Sequence, residues 1–160
     1  MKEEKELKVY YENALEAYEK GTKEQKQLLK KLFPKEKFSK DVKERVTDYA
    51  SACDELGIKP LTIHSFTFLE EEDQEPAFAR HQISIVAKAL REGWKPDFKD
   101  GKSKYYGYKY WDSSKSGFSS GVDCDGDYCG VGSDLLFPTY ELAEYALSIL
   151  DKQYSTYLIS

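Results

Sequence analysis

Apolar positions recur at helical spacing through the first third of the chain, again near its centre, and again at its end. Residues 3 to about 19 predict a first helix, with Leu7, Tyr10 or Tyr11, Ala14, Leu15 and Tyr18 on one side and Gly21 placed to end it. Thr22 suits the N-cap of a short second helix that Pro34 stops after Phe33. Its apolar face is thin, made of Leu28, Leu29, Leu32 and Phe33 only. A third helix over about 40–56 carries Val42, Val46, Tyr49, Ala50, Cys53 and Leu56 on one face, with Gly57 just past its end. A fourth spans about 76–92, with Pro76 in its first turn and Gly93 after its last. Its stripe of Phe78, Ile83, Val86, Ala87 and Leu90 is widened by Ile85 and Ala89, the mark of a central helix. Between the third and fourth helices, Leu61–Leu69 alternates imperfectly and predicts a strand or extended segment. The acidic run Glu70–Glu75 reads as a solvated loop.

After Trp94 the period shortens. Tyr105–Trp111, Gly117–Asp123 and Val131–Phe137 predict three short strands, joined by turns at 112–116 and 126–130. Connections this short make antiparallel hairpins the natural topology. Pro138 breaks the last strand, and Thr139 can cap a final helix from Tyr140 to about Tyr157. The predicted fold class is α+β, a small antiparallel sheet of about three strands within residues 105–137 packed against helices. The whole chain, 1–160, reads as one domain, with a helical N-terminal portion over 1–57 and a helix–sheet–helix core over 76–158.

Composition changes this picture in two ways. A chain of 160 residues that is 40% hydrophobic and 14% aromatic can bury a core without disulfide or metal support. The net charge of −5 argues against a general nucleic-acid coat, yet residues 1–50 carry about +2 and the remainder about −7. Cys53, Cys124 and Cys129 are an odd and small set, and with no signal-like segment behind the Lys/Glu-rich start they read as reduced thiols of a cytoplasmic protein. No apolar run approaches transmembrane length, so no membrane partner is expected.

The segments Ala89-Leu-Arg-Glu-Gly-Trp-Lys-Pro-Asp97, Tyr105-Tyr106, Gly117-Phe118, Val131-Gly-Ser-Asp-Leu-Leu-Phe137 and Glu141-Leu-Ala-Glu-Tyr145 make up much of residues 86–111 and 117–146. In these segments the chain resembles a group of uncharacterised proteins of Bacteroidales bacteria, their phages and integrated elements. The chain departs from that group at Arg91, where the group has Asn, and at Phe98, where it has Trp. The resemblance covers about a third of the chain and implies a phage or mobile-element origin. It carries no activity, and the matching residues are mostly of the kinds that specify a fold.

Candidate chemistry is sparse. Asp123, Asp125 and Asp127 alternate in a manner that echoes a calcium loop and make weak metal candidates. Position six is Tyr128 instead of the turn glycine, and Asp134 stands where a bidentate Glu is wanted. An Asp/Gly-rich hairpin turn is the simpler account. Cys124 and Cys129 could begin a zinc site, but only Cys53, His64 and His81 remain to complete it. Two thiols facing each other across a hairpin explain them better. No nucleophile elbow, metalloprotease motif or phosphate loop occurs, and no cofactor is implied. A metal-dependent enzyme at Asp123, Asp125 and Asp127 is therefore only an alternative.

Two surfaces stand out. The first is aromatic: Tyr106, Tyr108, Tyr110, Trp111 and Phe118, interleaved with Lys102, Lys104, Lys109 and Lys115. On a strand, Tyr106, Tyr108 and Tyr110 share one face, and Tyr105 and Trp111 the other. One face packs under helices. The other offers a hot spot for a protein or a stacking platform for bases. The second surface is basic, with Lys23, Lys26, Lys30 and Lys31 crowding the short second helix. It would suit an acidic protein or nucleic acid with salt-sensitive affinity. Ordinary sheet packing and a solvated helical face are the plain alternatives. The expected function is non-enzymatic binding of a macromolecule. A protein is favoured, a host defence factor being one form of it, and a nucleotide or single-stranded nucleic acid is the alternative.

Overall fold

A computed structural model of the chain describes residues 11–33, 41–127 and 130–159. It is an α+β structure, and its contacts divide the chain into two compact units, residues 1–41 and 42–160.

The first unit contains α1 (Tyr11–Lys20) and α2 (Lys23–Leu32). The start expected for the first helix lies outside the described residues. Thr22 caps α2 as its sequence position predicts, accepting from the Gln25 N–H while the Gln25 side chain accepts from the Thr22 N–H. Ala14 and Tyr18 are buried here, with Leu29 and Phe33 packed against them.

The second unit opens with α3 (Val42–Arg45) and α4 (Tyr49–Leu56). The sequence predicted one helix over this span. Asp48 splits it, because its carboxylate takes the Ser51 N–H and the Ser51 hydroxyl lies on the Asp48 N–H, forming a second capping box. Gly57 then ends α4 with φ of 64°, the left-handed conformation its position suggested. Arg45 is held nearly buried between Glu55 at 3.2 Å and Glu92 at 2.5 Å, fastening α3 to α4 and to the segment after the next helix.

The expected strand at 61–69 is instead a loop with a short 3-10 turn at Ile63–Phe66. The acidic run is not a loop either. It forms the first turn of α5 (Glu71–Leu90), where Glu71, Glu72 and Asp73 face the positive end of the helix dipole. Pro76 therefore lies inside the helix, near its start. α5 is the central helix, burying Ala79, Ile83, Val86, Ala87, Ala89 and Leu90.

β1 (Lys104–Asp112) and β2 (Gly117–Asp125) form one antiparallel hairpin, in register from Lys104↔Asp125 to Asp112↔Gly117. The third predicted strand is reduced to a single bridge, Tyr105↔Phe137. Before it, Ser133–Leu135 makes a 3-10 turn, with Asp134 on Arg80 and Arg91 on the carbonyl oxygens of Ser133 and Leu136. Those tertiary bonds engage groups that a third strand would have needed for its ladder.

The last predicted helix is also split, into α6 (Tyr140–Ile149) and α7 (Asp151–Ile159). Thr139 caps α6 through the Leu142 N–H, as expected. α6 and α7 close over one face of the hairpin and α5 packs against them, in a continuous core of Val46, Ala52, Ile83, Val86, Leu90, Phe137, Ala143, Leu147, Leu150 and Tyr154.

Candidate binding surface

Alternation along β1 decides which aromatic residues are available. Gly107 is buried against α6 and α7: a Cβ there would stand 2.7 Å from Leu147 Cγ and 3.0 Å from Tyr154 Cε1. Lys109 shares that face, its side chain buried and its Nζ 2.5 Å from the Asp151 carboxylate at the start of α7. The Ser120 hydroxyl donates to the same carboxylate at 2.8 Å, so one acid anchors both strands to α7. The bond from Lys109, then that from Ser120, holds the Asp151 carboxyl below its ordinary value. Odd positions of β1 thus face the helices, and even positions face away.

The outward face carries Tyr106, Tyr108 and Tyr110, opposite Asp123, Gly121 and Ser119. Tyr108 and Tyr110 are exposed, their rings 5.8 Å apart and inclined at 39°. Tyr108 lies across Gly121: a Cβ there would meet the ring at 2.7 Å. Tyr106 is half-buried. Trp111 and Phe118 belong to the other face, opposite one another with rings 5.4 Å apart in an edge-on arrangement. They lie toward the hairpin tip and stay 58% and 49% exposed. The five aromatic residues singled out by sequence are therefore distributed over both faces of the hairpin.

The interleaved lysines are mostly spent elsewhere. Lys104 is buried, its Nζ donating to Asp100 at 2.6 Å, to the Lys102 carbonyl at 2.7 Å and to the Gly126 carbonyl at 3.1 Å, with the Phe98 ring 5.6 Å away. The bond from Lys104 is the first cause holding the Asp100 carboxyl below its ordinary value. Lys109 is committed to Asp151. Lys115 lies at the tip, 3.2 Å from the Ser119 hydroxyl and 3.5 Å from Asp112.

The aspartates do not converge. Asp123 bonds the Cys124 N–H, while Asp125 is buried and accepts from the Gly130 N–H at 3.0 Å. Asp127 is exposed, and among the described residues no group of three or more His, Cys, Asp or Glu side chains has metal-binding geometry. Cys53 is buried, and burial pushes its thiol up, leaving a structural residue. Cys124 is exposed, and Cys129 lies outside the described residues.

On α2, Lys26 and Lys30 hold their ammonium groups 5.2 and 5.7 Å from the Tyr18 ring, partly engaged in their own unit. Lys23 and Lys31 are exposed. Leu28 and Leu32 are exposed as well, at 56% and 60%.

Sequence missed three features. His81 on α5 sits among Tyr49, Phe66 and Phe78, its ring centroid 5.9 Å from Tyr49 and 5.8 Å from Phe66, and burial lowers its basicity. Beside this cluster, Phe68 is 79% exposed, within the span expected as a strand or extended segment. A cleft of about 330 Å³ opens between the 63–66 turn, α5 and α7, lined by Ile63, Phe78, Ala79, Gln82, Lys152 and Thr156.

No helix among the described residues is long and apolar enough to cross a membrane. Comparison with protein-family models, with curated proteins and with solved structures finds no match for the chain.

Proposed function

We propose that the chain is a non-enzymatic accessory protein of a phage or mobile element, acting in the host bacterial cytoplasm by binding another protein. The observation that carries this reading is the outward face of the hairpin, where Tyr108, lying across Gly121, and Tyr110 stand exposed while the helices pack on the opposite face. Exposed Tyr and Trp rings on a rigid strand are the groups that dominate protein–protein hot spots. The proposed origin rests on the resemblance of residues 86–111 and 117–146. A host defence factor is the specific partner that origin suggests.

A nucleotide or single-stranded nucleic acid is the second reading, favoured by the paired Tyr108 and Tyr110 rings. Charge weighs against it. A stacking groove for nucleic acid needs cations beside the rings, but Lys104 and Lys109 are buried in ion pairs, and the Tyr face carries Asp112 and Asp123.

The test is capture by the tagged full chain from lysate of a Bacteroidales host, at low and at high salt. The expected result is one protein retained in stoichiometric amount at high salt. A nucleic-acid signal released by salt would overturn the preference for protein. Empty eluates at both salt concentrations would overturn macromolecular binding.

A further inference from the structure

The backbone of β2 presents a second surface, independent of the aromatic face. Tyr105 exchanges both backbone hydrogen bonds with Phe137, at 2.9 and 2.7 Å, so its N–H and C=O point away from β2. In an antiparallel ladder this direction alternates, so Tyr106, Tyr108 and Tyr110 bond β2. By the observed register, Ser119, Gly121 and Asp123 are their partners, and Phe118, Ser120, Val122 and Cys124 turn their backbone groups to the outer edge. The Cys124 N–H conforms, taken by the Asp123 carboxylate at 2.8 Å instead of by β1. The outward backbone groups of Phe118, Ser120 and Val122 have no partner among the described residues. Edge strands are usually blunted by a charge, a proline or a bulge. From Gly117 to Val122 this edge has none of them.

We propose that a second copy of this chain pairs with that edge, antiparallel about a twofold axis at Gly121, so that two hairpins form one four-stranded sheet. The side chains select this occupant and this register. Ser120 then lies opposite Val122 of the second copy, Phe118 opposite its Cys124, and Ser119 opposite its Asp123. Each Asp123 then faces an uncharged Ser119, whose hydroxyl stays on Asp112 of its own hairpin, and no like charges face each other. The two Gly121 residues adjoin at the axis. Each Tyr108 ring lies across its own Gly121, so the two rings approach each other over the axis, and both aromatic faces fall on the same side of the sheet.

The test is sedimentation equilibrium of the full chain from micromolar to millimolar concentration, with residue-resolved amide exchange on the same samples. Reversible dimerisation is expected, with the Ser120 and Val122 amides becoming protected as concentration rises. The Gly121 amide, bonded within the hairpin, stays protected throughout. Ser120→Pro removes an edge donor without touching the β1 ladder, and relative to Ser120→Ala, which loses only the hydroxyl bond to Asp151, it should weaken dimerisation about tenfold or more. A single-chain mass at every concentration overturns the proposal. So does a dimer in which the Ser120 and Val122 amides exchange freely, whether or not the proline variant folds.

Discussion

Gly107 is where the sheet meets its helices, and its missing side chain sets how closely they approach. A methyl group there would need Leu147 and Tyr154 to move, since their atoms lie 2.7 to 3.0 Å from its position. Gly107→Ala should therefore destabilise the second unit by about 1–3 kcal/mol, the usual cost of overpacking. Gly117→Ala, whose Cβ would find nothing nearer than the Lys115 carbonyl at 3.8 Å, should melt close to the parent. Thermal unfolding of the two variants side by side checks both expectations.

Asp112 closes the hairpin turn in a different way. Its carboxylate accepts from the Ser114 hydroxyl at 2.6 Å and the Ser114 N–H at 3.0 Å, with the Ser119 hydroxyl at 3.2 Å. These bonds, that from the Ser114 hydroxyl foremost, lower its pKa from 3.8 to about 2. A depressed carboxyl binds fewer protons folded than unfolded, so its contribution is complete above the ordinary value and lost as pH falls toward 2. Asp112→Asn should flatten the acid limb of the stability curve between those two values. Equal slopes for variant and parent in that window would contradict the account.

At the scale of elements, what local chemistry controls was legible and what tertiary bonds control was not. Thr22, Gly57, Thr139 and the 112–116 turn act as their residue types predict. The break at Asp48 was readable too, because Asp48 and Ser51 have capping-box spacing. The missing third strand was not. Val131–Phe137 has strand-forming residues at both ends, and Arg80 and Arg91, far away in sequence, help hold its centre in a turn. The break at Leu150 has no Gly or Pro to announce it; Asp151 is fixed there by Lys109 and Ser120. The same limit applies to the site. Strand alternation separated Tyr108 from Trp111, but the pattern gave no sign of which lysines would be buried.

One contact between elements is open to a single-atom test. The Tyr145 hydroxyl on α6 lies 2.7 Å from the Lys43 carbonyl and 2.9 Å from that of Val46, satisfying the end of α3. Tyr145→Phe keeps the ring and leaves those carbonyls without that donor. A loss of about 1 kcal/mol is expected in denaturant titration, with an unchanged m-value.

At the scale of the molecule, charge and aromatic surface point to different partners. Residues 1–50 are mildly basic and the rest is acidic, yet the exposed rings lie on the acidic part. An interface centred on those rings resists salt, whereas one centred on Lys23 and Lys31 weakens with it. The most direct measurement compares the high-salt capture of the parent with that of Tyr110→Ala and of Lys31→Ala. The binding face assigned here requires Tyr110→Ala to reduce the retained protein at least about tenfold with its circular dichroism unchanged, and Lys31→Ala to retain it fully. Full retention by a folded Tyr110→Ala would contradict it.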